Sequence, residues 1–445
     1  MKIALLGGGG FRTPLAYSAL QSLAQRVRVD ELVLHDLDQD RLDRVRLVLD
    51  GLDDGSNTPR LPVHGTTNLI DALDGADYVW CAIRVGGLEG RLIDERVPVR
   101  EGVVGQETTG PGGMAFALRS LPALLDIARA VARCAPRAWF INFTNPVGLI
   151  TEALQQVLGD RVIGVCDTPT GLCNRVAALL QRSPRELWFD YFGLNHLGWL
   201  AGVRDANGDL LSGLLTNDAA LGALREARLL GIERLRRLGM IPNEYLYYYD
   251  HPRSAVEAVR NGNGRADYLV EQQRAFYTTP VASGREAVGK WRGAWQERER
   301  TYMADAAPGS EPEHAEPSQG YAEVAAELLG ALASNEQRIM ILNVANRGSL
   351  PFLDERAVVE VPCVVGSFGA VPVTMGDVPH VARELIERIK HIERLIITAS
   401  AERSAGLALE ALALHPLVPT EHVAERIFDG YLAGHASLRE YFGNG

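Results

Sequence analysis

Four consecutive glycines, Gly7-Gly8-Gly9-Gly10, follow directly on the short apolar run Lys2–Leu6, and Thr13-Pro14 stands just beyond them. A buried strand, a turn that no side chain obstructs and a cap followed by proline predict a helix from 13 to about 25. This is the opening unit of a doubly wound α/β domain. Gly7 and Gly9 occupy the first two glycine positions of the dinucleotide fingerprint G-x-G-x-x-G, and Arg12 stands where the third belongs. Taken alone the turn fits any α/β protein. A second apolar run, Glu31–His35, ends at Asp36. An acid there can accept both ribose hydroxyls and repels a 2′-phosphate, so NAD is expected over NADP. Gly7, Gly9, Gly10, Arg12 and Asp36 form the expected cofactor-binding set.

Further strands are expected at 77–83, 138–143 and 161–165, with helical patterns between them. The alternation predicts a parallel sheet. At 445 residues the chain exceeds one domain of usual size, so two are expected, 1–165 and 166–445. In the second, 187–203 is rich in aromatic and β-branched residues and reads as strand. The stretch 205–209 is a turn signal, and long helical patterns cover 218–238 and 381–414. The Pro-, Glu-, Ala- and Ser-rich stretch 304–319 has no apolar period and reads as a mobile surface loop.

Lys and Arg total 45 against 56 Asp and Glu, a net charge of −11, which argues against nucleic acid or an anionic membrane as partner. No apolar run approaches the roughly 20 residues of a membrane span. Lys2 is followed by only four apolar residues before the glycines, which is not a secretory leader pattern. Cys81, Cys134, Cys166, Cys173 and Cys363 are odd in number and widely spread. They do not form a disulfide scaffold, so a reducing cytoplasm is expected.

Ligands of an open α/β sheet sit beyond the carboxyl ends of its strands. Four polar, glycine-bearing or proline-bearing segments fall there: 84–91 with Arg91, 105–113 with Glu107, 142–146 with Asn145, and 166–169 with Cys166 and Asp167. His196 lies in the apolar segment 193–199, and Tyr245 in the tyrosine cluster 243–249. Individually, each has an ordinary structural reading: a turn, a buried thiol, a core histidine, aromatic packing. Cys166 and His196 are too far apart in sequence for their spacing alone to establish a metal site.

Together and in this order, these segments resemble glycoside hydrolase family 4, the NAD- and divalent-metal-dependent glycosidases. The resemblance also takes in Val359-Glu360-Val361-Pro362-Cys363 and His415-Pro416-Leu417. It is strongest to the 6-phospho-β-glucosidases. It implies a Rossmann domain followed by an α+β domain similar to the C-terminal domain of lactate dehydrogenases. The family forms homodimers or homotetramers, and its substrate here would be a phosphorylated glycoside. The implied chemistry departs from the paired-carboxylate mechanism of most glycosidases. NAD takes hydride from C3 of the sugar, a base removes the C2 proton, and the metal stabilises the enediolate. The C1 substituent leaves, water adds, and the hydride returns.

Matched residue by residue, Cys166 and His196 resemble the metal ligands, with Mn²⁺ the usual metal. Tyr245 matches the catalytic base. Arg91 and Arg285 resemble the arginines that hold the 6-phosphate, and Asn145 and Glu107 resemble sugar-contacting residues. Asp167 matches the general acid of the 6-phospho-α-glucosidases, whereas Asn is usual at this position in the β group. An α preference, or an unphosphorylated sugar, is therefore an alternative within the family. A hydroxyacid dehydrogenase would instead accumulate NADH, and an NAD-binding regulator would need no metal.

Overall fold

β1 (Lys2–Leu6) is the hub of a nine-stranded sheet. Its residues from Ile3 to Leu6 are buried, because helices cover both faces of the sheet. The computed structural model describes residues 1–24, 26–52, 60–263, 265–300 and 320–443. The other parallel strands are β2 (Glu31–His35), β3 (Val63–Thr66), β4 (Tyr78–Cys81), β5 (Trp139–Asn142) and β6 (Val162–Gly164). They run in the order β3-β2-β1-β4-β5-β6, a doubly wound parallel sheet as expected, with β3 a strand that the sequence reading did not mark. β1 pairs in parallel with both β2 and β4, so the winding reverses between β1 and β4 and a crevice opens at their carboxyl ends.

β4, β5 and β6 are each shorter than the apolar runs that predict them. Ala82, Ile83 and Phe143, which follow the strands, line the cavity described below. Their apolar character serves the cavity wall rather than the ladder: Phe143 is buried, Ile83 half-buried and Ala82 exposed.

β7 (Trp188–Leu194), β8 (Leu197–Asp205), β9 (Gly208–Asp209) and β10 (Ile241–Pro242) make a separate antiparallel sheet. The stretch 187–203 is thus a hairpin and not one strand. It folds back at Asn195-His196, where His196 takes the left-handed conformation at φ 61°. β11 (Arg338–Ala345), β12 (Val358–Gly366) and β13 (Gly369–Pro372) return to the first sheet. β11 pairs antiparallel with β6 through Asn343 and Gly164, and β12 and β13 extend that edge.

Two long helical patterns are broken. The segment 218–238 forms Asp218–Ala223, Arg225–Leu230 and Ile232–Leu238, interrupted at Leu224 and at Gly231 with φ 88°. Residues 381–414 divide into His380–Glu402 and Ala405–Leu414. Arg403 is left-handed there, and the Ser404 side chain caps the second helix by accepting from Leu407 N. The expected loop 304–319 lies outside the described residues. No helix among the described residues is long and apolar enough to cross a membrane.

Candidate active site

A cavity of about 1430 Å³ opens at the carboxyl ends of the parallel strands and is lined from both halves of the chain. On one side is the glycine turn. Gly7 has φ +86°, and a Cβ there would lie 2.7 Å from Ala82 O, so only glycine fits. Gly7 N and Gly8 N both donate to His35 O, at 2.9 and 2.8 Å, and Gly9 N donates to Asp36 Oδ2 at 3.0 Å. Tyr277 Oη donates to Gly9 O at 2.7 Å, and Trp291 Nε1 donates to Phe11 O at 2.9 Å. The helices Arg265–Thr278 and Gly284–Arg300 therefore hold the turn from above. Gly7, Gly10, Arg12 and Asp36 line the cavity. No side chain caps the helix Thr13–Leu23; Thr13 N donates to Gly10 O and Leu15 N to Arg12 O, both at 3.1 Å, and Pro14 has no N–H. Leu37, 87% exposed, lines the cavity beside Asp36 and offers an apolar face to a base. This cradle fits NAD.

Cys166, which follows β6, and His196, at the tip of the β7–β8 hairpin, lie just behind the lining: their neighbours Asp167 and Tyr245 line the cavity, and they themselves do not. Cys166 Sγ and His196 Nε2 are 3.5 Å apart, and both residues are buried. Two donors on one first-row metal ion, at about 2.0–2.3 Å each and a bent angle, stand roughly 3–3.6 Å apart. The pair therefore fits a shared ion. No group of three or more His, Cys, Asp or Glu suited to a metal occurs among the described residues. Burial pushes the His196 pKa down to about 3, which keeps the imidazole neutral. Burial also raises the Cys166 thiol, helped by the charges of Glu360 and Asp167, so binding a cation there means releasing a proton.

Tyr245 lies over His196, ring centroids 3.7 Å apart and planes within 4° of parallel. It lines the cavity on a short helical turn that begins when Asn243 Oδ1 accepts from Tyr245 N at 3.1 Å. Glu107 bonds Arg84 Nη2 at 2.7 Å and Arg91 Nη1 at 3.0 Å. Burial disfavours its charge, yet Arg91 and Arg84 hold its pKa down at about 2. Arg91 Nε also bonds Glu95 at 2.6 Å. Asn145 and Asp167 line the same cavity, and Asn145 Oδ1 is buried with no hydrogen-bond partner among the described residues. Burial raises the Asp167 pKa against the pull of Arg12.

Arg285 is not among these residues. It is exposed near the start of the helix Gly284–Arg300, which packs through Gly284 against Gly51, and it does not line the cavity. Arg298, near the other end of that helix, and Arg265 do. Burial, together with the charges of Arg12, Arg265 and Arg91, drives the Arg298 pKa well below its usual value. Such crowding of guanidinium groups is relieved by a multivalent anion. In the sequence Arg298 sits inside Gln296-Glu297-Arg298-Glu299-Arg300, a charge run that reads as a solvated face, so nothing there marks it.

Glu360 was also without an assigned role. It is fully buried behind the Cys166–His196 pair and accepts from Asn343 Nδ2 at 2.8 Å, Tyr191 Oη at 3.2 Å and Asn195 Nδ2 at 3.4 Å. Burial lifts its pKa to about 7.

The sequence matches the model of the family 4 glycosyl hydrolases over residues 2–182 and that family's C-terminal domain over 191–418. It is 30% identical to the maltose-6′-phosphate glucosidase of Bacillus subtilis, over 96% of this chain and 94% of that one. The solved 6-phospho-β-glucosidase from Thermotoga maritima, with manganese, NAD⁺ and glucose 6-phosphate, superposes with a TM-score of 0.83. The two share 29% identity over 99% of each chain. A lactate dehydrogenase from Cryptosporidium parvum shares the fold alone, at a TM-score of 0.51 and 14% identity over 90% of this chain and 98% of that one. With both family models matched along most of its length, the chain belongs to glycoside hydrolase family 4.

Proposed function

We propose that the chain hydrolyses 6-phosphoglucosides with NAD and a divalent metal ion, Mn²⁺, as cofactors. The observation that carries this reading is the Cys166–His196 pair at 3.5 Å with Tyr245 stacked on it and the arginine-lined cavity in front. NAD and Mn²⁺ in the Thermotoga maritima structure support it.

Gly7, Gly9, Gly10, Arg12 and Asp36 would hold NAD, and Cys166 and His196 would hold the metal. When bound, they supply a reversible hydride acceptor for C3 and a Lewis acid for the ketone that results. The residues of the chain do the rest. Arg91, Arg265 and Arg298 bind the 6-phosphate and fix the sugar's direction in the cavity. Asn145 Oδ1, which has no partner among the described residues, accepts from a sugar hydroxyl. Tyr245 Oη takes the C2 proton, in the field of the nearby Arg91. The order of events follows from acidity, because C2 loses a proton readily only when C3 is a ketone.

A β preference is supported by the likeness to the Thermotoga maritima enzyme. One observation favours the α anomer instead: Asp167 lines the cavity with its pKa raised by burial, as suits an acid that protonates a leaving group. The test is p-nitrophenol release from the two p-nitrophenyl 6-phosphoglucosides, with NAD and Mn²⁺ present or separately withheld. Release of one anomer that needs both additions is expected. Release without NAD would sink the oxidation–elimination reading.

A further inference from the structure

Gln106 and Thr108 sit in the turn before the helix Pro111–Cys134; Gln106 lines the cavity, and Thr108 contacts His196. Gln106 Oε1 accepts from Thr108 N at 2.7 Å and Thr109 N at 2.6 Å. Two backbone N–H groups can only face an oxygen, so the orientation of the Gln106 amide is fixed. Thr108 Oγ1 lies 2.9 Å from that same oxygen, and an amide oxygen cannot donate. The single hydroxyl proton of Thr108 is therefore committed to Gln106. Thr108 Oγ1 also lies 2.7 Å from His196 Nδ1. With its proton spent, the hydroxyl can only accept there, so Nδ1 carries the ring hydrogen.

We propose that Gln106 and Thr108 are positioning residues that set the tautomer of His196. The relay Gln106–Thr108–His196 puts the hydrogen on Nδ1 and leaves the Nε2 lone pair facing Cys166 Sγ. The inference rests on the reading of Cys166 and His196 as metal ligands. It explains how a histidine in a left-handed hairpin turn presents one defined nitrogen. The ring is clasped by the Tyr245 face on one side and by Thr108 at its far nitrogen. Partners of this kind commonly govern metal affinity as strongly as 10- to 100-fold.

Two measurements test it. The first is Mn²⁺ binding to the full chain with NAD and glucose 6-phosphate, read from the free-Mn²⁺ electron spin resonance signal. Thr108→Val, which keeps the shape and removes the hydroxyl, is expected to weaken binding about 10- to 100-fold. Thr108→Ser is expected to restore it to within a few-fold of the native value. Native affinity in Thr108→Val overturns the relay. Unchanged binding in Cys166→Ser overturns the metal-site reading beneath it, so the two failures are distinguishable. The second measurement is ¹⁵N NMR of the metal-free protein labelled at histidine, with the His196 signals assigned by their loss in His196→Asn. Nδ1 is expected to be pyrrole-like and Nε2 pyridine-like. The reverse pattern overturns the proposal even if the Thr108 variants fold poorly.

Discussion

The imidazole of His196 and the phenol of Tyr245 lie face to face, with centroids 3.7 Å apart and planes 4° from parallel. These residues are 49 positions apart in the sequence and come from different elements, a hairpin tip and a short helical turn. The stack places the proposed base directly beside a proposed metal ligand. A phenol pKa falls when positive charge or hydrogen-bond donors stand near the phenolate, and the Arg91 guanidinium acts on Tyr245.

Tyr245→Phe keeps the stacked ring and removes only the hydroxyl. Turnover is expected to fall about 10²- to 10⁴-fold, the usual worth of a positioned acid or base. NAD affinity and melting temperature are expected to stay at native values. Steady-state assay, NAD titration and calorimetry check this together, and native turnover removes Tyr245 from the base role.

Arg265 and Arg298 reach the cavity, whereas Arg285 does not. Arg298→Ala or Arg265→Ala is expected to raise KM for a 6-phosphoglucoside roughly 10- to 100-fold, corresponding to about 1.5–3 kcal/mol for a hydrogen bond to a charged group. Arg285→Ala is expected to leave KM unchanged. A KM change confined to Arg285→Ala would reverse the assignment.

Asp36 closes on the glycine turn through Gly9 N at 3.0 Å and lines the cavity. Asp36→Ser removes the charge that repels a 2′-phosphate. NAD affinity is expected to weaken by roughly 10-fold, consistent with the loss of one or two charged hydrogen bonds, while NADP becomes usable. Fluorescence titration with each dinucleotide reads both. Continued exclusion of NADP by the variant would show that another group sets the preference.

His415 is a buried histidine whose pKa falls to about 3 through burial and the nearby charge of Arg388. Its Nδ1 accepts from Leu417 N at 3.2 Å, which holds the ring neutral. The unfolded chain protonates this residue near pH 6.5. Between that value and about 3, the unfolded state binds the extra proton, so His415 stabilises the fold above pH 6.5 and loses that contribution as pH falls. Denaturant unfolding of the native chain and of His415→Asn at pH 7, 6 and 5 is the check. The acid loss is expected to be smaller in the variant by up to about 1.4 kcal/mol per pH unit. Parallel slopes would mean that folding leaves the proton affinity of His415 unchanged.

The order of strands and helices in the first half was legible in the amino-acid sequence. Short buried runs, glycine at a turn and an acid at the next strand end are local signals, set by burial, backbone freedom and charge on neighbouring residues. Asp36 was legible for the same reason, at the end of a readable strand; Cys166, Asp167, Glu107 and Asn145 stand in polar segments at strand ends and turns, but the roles expected of them came from the family resemblance. Tertiary structure decided the rest. The run 187–203 became a hairpin because His196 is held left-handed by contacts from Thr108, Cys166 and Tyr245, none of them local. Arg298 rather than Arg285 faces the cavity because the helix carrying both packs its first turn on Gly51, and its far end comes to Arg12 and Arg91. Charge runs in a sequence do not say which side chain is exposed to solvent and which to a cavity. That depends on where the helix lands, and its landing is set by packing between residues hundreds of positions apart.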